Sequence, residues 1–366
     1  MDVEALTREL VAIPSHEDET AAGDAIENWL RAETDAAVRR DDHGNVFARR
    51  GATDEAAPSL ALVGHHDVVP PDDPQVTAAG EYVLERRDGR LYGRGAADMK
   101  GAVAAAMLAF RDADIGADPG VALVFASFVG EELGGEGAQA AIDDGFAPDY
   151  AVVGEGSTGY ATPGVTDVAV AHKGRRGSTI LAEGVTTHAS LVEQGVNAIY
   201  RATDAVDLVR DLDFPATTVL GHDVEGSLAV TEIDGGSAWN VIPDHCEVTV
   251  DERTVPGDRA DLARVEALDG VSVRIDQDLP PMACDDAAFA DLALDAAASV
   301  QDGDPDHVVK PHASDAGWLA RAGTTCVVCG PAESGEAHTA DESVSLDVLA
   351  RCERLYREVA ERFARR

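Results

Sequence analysis

The chain has 366 residues, 45% of them hydrophobic and only 5% aromatic, so it is long enough for two domains of ordinary size with cores built mainly from Ala, Val and Leu. Its 68 acidic residues against 29 basic ones give a formal net charge of −39, and such a surface repels nucleic acid and anionic lipid. No stretch approaches the roughly 18 apolar residues that cross a bilayer, and Met1-Asp2-Val3-Glu4 is acidic where a signal peptide is basic, so a cytoplasmic protein is expected. The acid is spread along the whole length and only three lysines occur, Lys100, Lys173 and Lys310. That pattern reads as adaptation to multimolar salt, where a Debye length of about 3 Å at 1 M removes the self-repulsion.

Val3, Leu6, Leu10 and Val11 recur at helical spacing before Pro14, and Ala22, Ile26, Trp29 and Leu30 give a second helix one apolar face. A turn at Asp42-His43-Gly44-Asn45 precedes a short strand at 46–48. The apolar run 60–63 reads as a buried parallel strand, and it leads directly into Gly64-His65-His66-Asp67-Val68-Val69-Pro70. At the carboxyl end of such a strand, side chains face the crevice where open α/β sheets bind ligands; a His-x-Asp there is either a metal-binding imidazole with its orienting carboxylate or a hydrogen-bonded turn. Pro70-Pro71-Asp72-Asp73-Pro74 is a rigid surface excursion. Leu91-Tyr92-Gly93-Arg94-Gly95-Ala96-Ala97-Asp98-Met99-Lys100-Gly101 leads into an Ala-rich helix over 102–111. This is not a dinucleotide fingerprint, because Asp98 stands where the third glycine belongs and a carboxylate repels pyrophosphate. Asp98 reads equally well as a helix cap or as a site residue.

The strongest strand signal, 121–129, runs into Gly130-Glu131-Glu132, and a further strand at 151–153 ends in Gly154-Glu155. Adjacent carboxylates repel one another unless a positive charge or water screens them. Three successive strands therefore end in acid or imidazole. From Lys173 the pattern changes to strand (178–182), helix (197–211), strands (228–233 and 247–250), helix (258–266) and strand (271–275), the β-α-β-β-α-β order of a ferredoxin-like split. An inserted domain over 173–282 is expected, within a first domain made of 1–172 and 283–366. The remainder reads as a helix (286–299), a turn at 311–317, a strand around Val327, Gly330-Pro331 leading to Ala337-His338-Thr339, and a last helix with Val348, Leu349, Cys352, Leu355, Val359 and Phe363 as its stripe. Cys326 and Cys329 lie in a strand-like run with no second pair, which favours packing over a zinc ribbon or a redox site.

His65, Asp98, Glu132, Glu155 and His338 are about the right number and kind of donors for two zinc ions sharing one bridging carboxylate. Two such ions polarise a carbonyl and lower the pKa of water, and a neighbouring carboxylate that is not a ligand supplies proton transfer. These motifs, with Asn240-Val241-Ile242-Pro243, come in the order and spacing of a known family across the whole chain. The chain resembles the di-zinc aminoacylases and carboxypeptidases that include succinyl-diaminopimelate desuccinylase, acetylornithine deacetylase and the glutamate carboxypeptidases.

The resemblance implies an α/β fold, with a zinc-exopeptidase-like catalytic domain carrying the inserted ferredoxin-like domain as a dimerisation lid. It implies two Zn²⁺ ions, with Co²⁺ or Mn²⁺ as alternatives. His65 and Glu155 would hold one ion, Glu132 and His338 the other, and Asp98 would bridge. Asp67 would orient His65, and Glu131 would be the general base and acid. His188 is implied to bind the oxyanion in the partner subunit of a homodimer. Asn240 and Arg253 are implied to hold the scissile carbonyl region and the substrate carboxylate, an ordinary salt bridge being the alternative for Arg253. His66 falls on a variable position. Gly156 and the stretch after His188 lack prolines common in relatives. The expected activity is removal of a succinyl or acetyl group from an amino acid in lysine or arginine biosynthesis. A metallo-dipeptidase or carboxypeptidase, a carbamoyl amidohydrolase and a catalytically silent binding protein are the competing readings.

Overall fold

The computed structural model describes residues 1–54, 56–116 and 120–366, which form two compact units. One comprises Met1–Ala171, Met282–Lys310 and Ser314–Arg366; the other comprises His172–Pro281 and Pro311–Ala313.

The first unit is an α/β layer structure. Strands Ala122–Phe128, Ser59–His65, Tyr150–Val153 and Thr325–Val328 lie side by side and parallel in that order. Val46–Gly51 and then Ala37–Arg40 continue the sheet antiparallel on one edge. Val168–His172 continues it antiparallel on the other. Every residue of Ser59–His65 and Ala122–Phe128 is buried, which is why both read as unbroken apolar runs rather than alternating ones. The Gly101–Asp112 helix is buried on nearly all sides, and its run of alanines leaves room for Leu346–Ala364 to pack closely against it. That last helix buries Val348, Leu349, Cys352, Leu355, Val359 and Phe363 as one stripe. The five cysteines are all buried and unbridged, with Cys326 in Thr325–Val328 and Cys329 just beyond it.

The second unit is a four-stranded antiparallel sheet in the order Ser227–Gly235, His245–Thr254, Gly174–Glu183, Val271–Leu279. With the Ala198–Arg210 helix packed through Ala198, Ala202, Ala205 and Val209 onto Ile180, Val248 and Val250, it has the ferredoxin-like topology. The helix expected over 258–266 is only a tight turn, Leu262–Ala267. Its two buried residues, Leu262 and Val265, are three apart, the spacing that eclipses in a 3₁₀ helix. A second departure lies at 311–317, where the expected turn gives way to the helix Asp315–Arg321, with Ser314 as its N-cap.

Candidate metal centre

The parallel strands place the site at their carboxyl ends. His65 is the last residue of Ser59–His65. Glu131 and Glu132 follow Ala122–Phe128 on a loop that Asn45 pins by accepting from the Val129 amide at 3.0 Å and donating to the Gly137 carbonyl at 3.0 Å. The loop turns through Gly130 at φ 59, a left-handed conformation that glycine adopts without a Cβ clash. Glu155 follows Tyr150–Val153. Asp98 does not cap the Gly101–Asp112 helix: it sits in the preceding turn, Ala96–Lys100, with extended dihedrals and a cis peptide to Met99. His338 comes from the loop after Thr325–Val328, with φ 61.

These side chains converge in two groups, His65 with Asp98 and Glu155, and Asp98 with Glu132 and His338. The Asp98 carboxylate is divided between them: Oδ1 is 3.3 Å from His65 Nε2, and Oδ2 is 2.9 Å from His338 Nε2. His338 Nε2 is also 2.8 Å from Glu132 Oε1, and His65 Nε2 is 3.4 Å from Glu155 Oε1. On its other nitrogen His65 faces only acceptors, the Asp67 carboxylate and carbonyl, each at 3.2 Å. Nδ1 therefore carries a proton toward Asp67, and Nε2 is turned toward Asp98 and Glu155, the side on which a metal ion would be held. The second Asp67 oxygen accepts from the Glu132 amide at 3.0 Å, so one carboxylate fixes both the imidazole and the acidic loop.

The electrostatics are those of acid gathered in a dry place. Burial raises Glu131 well above the usual carboxylate range despite the nearby His65, with Asp315 and Glu155 adding to the rise. Burial raises Glu132 as well. His338 is pushed up to about 10 by its hydrogen bonds to Asp98 and Glu132. For His65, burial opposes the charge, yet Asp67, Asp98 and Glu155 together hold its pKa well above the ordinary value. Asp98 is lowered, its pairing with the His338 and His65 rings outweighing its burial.

The donors fit a pair of divalent cations. The buried His65 Nε2 makes no hydrogen bond, the carboxylates crowd without enough protein cations to balance them, and imidazole with carboxylate is a donor set that zinc, cobalt and manganese all accept. Glu131 belongs to neither group, which leaves its carboxylate available for proton transfer.

Three further residues meet this region. Lys310 is buried, with Nζ 3.8 Å from Glu155 Oε2. Asp315 is 3% exposed, neither of its carboxylate oxygens is hydrogen-bonded, and burial raises it to about 8. His66 belongs to neither group, with Nδ1 2.9 Å from Ser127 Oγ. Sequence reasoning missed Lys310 and Asp315; the scarcity of lysine was the available signal for the first, and Ser314-Asp315 falls in the stretch that reads as a turn.

His188, Asn240 and Arg253 belong to the second unit. His188 and Asn240 are neighbours there: Thr187–His188 pairs with Val241–Ile242, and the Ala189 amide donates to the Asn240 carbonyl at 2.9 Å. His188 is exposed, with Nδ1 2.7 Å from Ser190 Oγ. Arg253 lies on His245–Thr254 and pairs with Asp251 at 2.8 Å.

Residues 61–362 match Peptidase family M20/M25/M40. The chain is 30% identical over 332 residues to an acetylornithine deacetylase of Myxococcus xanthus, covering 84% of this chain and 81% of that protein. It is also 30% identical over 342 residues to a succinyl-diaminopimelate desuccinylase of Xylella fastidiosa, covering 87% and 86%. Its fold is similar to that of the YxeP protein of Bacillus subtilis, described as a dinuclear metal binding peptidase of family M20, with a TM-score of 0.69 at 16% identity over 99% of this chain and 98% of that one.

Proposed function

The chain belongs to peptidase family M20/M25/M40, and from that premise we propose that it is a dinuclear metal amide hydrolase that removes a succinyl or acetyl group from the nitrogen of an amino acid. The observation that carries this reading is the division of Asp98, one oxygen toward His65 and the other toward His338, with Glu155 and Glu132 completing two groups around it. The names of the deacetylase and desuccinylase relatives support the acyl substrate.

In this reading His65, Glu155 and Asp98 hold one ion, and Glu132, His338 and Asp98 the other, zinc being the proposed metal. When bound, the pair polarises the amide carbonyl and lowers the pKa of water in the site. Glu131 accepts the proton of the attacking water and returns it to the leaving nitrogen, giving a free carboxylate and a free amine. The carboxyl group suits this work because burial has already raised its proton affinity. Asp67 keeps the His65 proton on Nδ1. The second unit forms a homodimer, and His188, Asn240 and Arg253 bind substrate; Arg253 exchanges Asp251 for the substrate carboxylate. The enzyme works in the cytoplasm, in lysine or arginine biosynthesis. No helix among the described residues is long and apolar enough to cross a membrane.

Peptide hydrolysis is the second reading, favoured by the likeness to a protein described as a peptidase. The test sets N-succinyl-diaminopimelate, N-acetylornithine and a plain dipeptide side by side in multimolar KCl with zinc, with Glu131→Gln as the blank. Preference for an acylated amino acid is expected. Turnover of the dipeptide alone would replace the deacylase reading with the peptidase one, and turnover of none by folded, metal-loaded protein would remove both substrate assignments.

A further inference from the structure

We propose that Glu342 is a positioning residue for Asp98, held in place by Arg94, so that the loop carrying His338 and the turn carrying Asp98 are locked into one frame. The inference rests on the reading of Asp98 as the carboxylate shared by two metal ions.

Glu342 lies four residues beyond His338, at the end of the same loop, and its side chain is completely buried. One oxygen, Oε1, accepts from two consecutive backbone amides, Ala97 at 3.0 Å and Asp98 at 3.1 Å. The other, Oε2, accepts from Arg94 Nη1 at 2.6 Å, and that guanidinium is 2% exposed. The Glu342 carbonyl adds a fourth tie, accepting from the Gly93 amide at 3.0 Å. Gly95 stands between Arg94 and Ala96 at φ 84, and a Cβ there would come within 2.7 Å of a Val68 methyl carbon. The chain can therefore double back only with glycine at this position, and that brings the Arg94 side chain and the Ala97 and Asp98 amides to one carboxylate.

A single buried carboxylate thus grips the backbone of the residue whose two oxygens face the two groups, while its own loop supplies a donor to one of them. Asp98 Oδ2 and His338 Nε2 are 2.9 Å apart, and a shift of either loop moves one donor relative to the other. A buried charge pair with every carboxylate oxygen in use gives a rigid anchor. Partners that fix metal ligands from behind typically govern metal affinity by 10- to 100-fold. Glu342 bonds the Asp98 backbone amide and none of the donor atoms, so its effect passes through that backbone.

The test is metal binding, read independently of turnover. Wild type, Glu342→Gln and Arg94→Lys are titrated with Co²⁺ against a chromophoric chelator, and their visible Co²⁺ spectra are recorded. Glutamine keeps the volume but has only one oxygen, which cannot serve both the amides and Arg94. Its second Co²⁺ is expected to bind at least about 10-fold more weakly with an altered spectrum, and turnover is expected to fall in kcat with little change in KM. Arg94→Lys keeps the charge but loses the fork, and a smaller loss in the same direction is expected. If Glu342→Gln does not fold, Arg94→Lys decides. Wild-type affinity and spectrum in the folded variants, even with a lowered thermal midpoint, would make the pair a stability element and overturn the proposal. A wild-type protein that takes up fewer than two ions would overturn the dinuclear reading and this inference together.

Discussion

His66 is the residue through which acid should weaken the fold most directly. Its ring is fully buried, Nε2 makes no hydrogen bond, and burial, aided by the positive Lys100 and His65 and opposed by Asp67, lowers its pKa to about 3. In the unfolded chain the imidazole titrates near 6.5. The folded value is the lower one, so the unfolded state takes up the proton first as pH falls; the His66 contribution is fully present above about 6.5 and is lost progressively as pH drops toward about 3. At pH 5 the unfolded state has gained about 1.5 pKa units of protonation free energy that the folded state cannot match, about 2 kcal/mol. The figure barely changes for a folded pKa of about 4, because at pH 5 the buried ring is neutral either way. Urea unfolding of wild type and His66→Gln, in multimolar KCl with chelator, at pH 7.5 and pH 5.0, isolates the effect, since the other titrating groups cancel in the difference. Glutamine carries no titrating group, so its deficit relative to wild type at pH 7.5 should shrink by about 2 kcal/mol at pH 5.0. An unchanged gap between the two proteins at the two pH values would refute the burial argument.

Glu131→Gln should lower turnover by about 10² to 10⁴ while both metals remain bound; near wild-type turnover would assign the proton transfer elsewhere. Lys310→Met removes the cation 3.8 Å from Glu155, an attraction of about 4 kcal/mol at an effective dielectric of about 20 before desolvation is counted. Its loss of thermal stability should be larger in chelator than with metal bound, when the ion balances Glu155, and equal losses would contradict that role. With a net charge of −39 the protein should unfold as KCl falls from multimolar toward about 0.01 M, where the Debye length reaches about 30 Å. A circular dichroism signal and activity that persist at low salt would set aside the halophilic reading.

The parallel strands were legible because burial on both faces demands consecutive apolar residues, and the polar groups that end those runs mark the crevice. His65, Glu132 and Glu155 could be read that way because each directly follows an apolar run. Ala37–Arg40 could not, since an edge strand half-exposed along its length has no such run. Asp98 was ambiguous for a local reason: its turn precedes a real helix, and only the three-dimensional path of Ala96–Lys100 turns its carboxylate inward instead of onto the helix N-terminus. Glu342 was invisible because it sits among other acids, Glu333, Glu336 and Asp341, and Asp315 because its stretch reads as a plain turn. What distinguishes them is burial, and burial of a single polar side chain depends on loops far apart in sequence, 245 residues in the case of Glu342 and Ala97.

The same composition bears on why the rare lysines are where they are. A solvated surface lysine is exchangeable for acid when the solvent is concentrated salt, since ions screen whatever charge remains. A lysine in the interior has no such substitute. Of the three lysines two are buried: Lys100 donates to the Ile13 carbonyl at 2.6 Å, and Lys310 stands beside Glu155. Burial lowers both, Lys100 to about 7 and Lys310 below its usual value, while acids work the other way, Asp67 and Glu342 on the first and Glu155, Asp98 and Glu131 on the second. Each is thus kept cationic to the extent that the site's acids are ionised. Lysine, the scarce cation of this chain, is thus kept chiefly where solvent ions cannot reach, while arginine carries the positive charge of the surface.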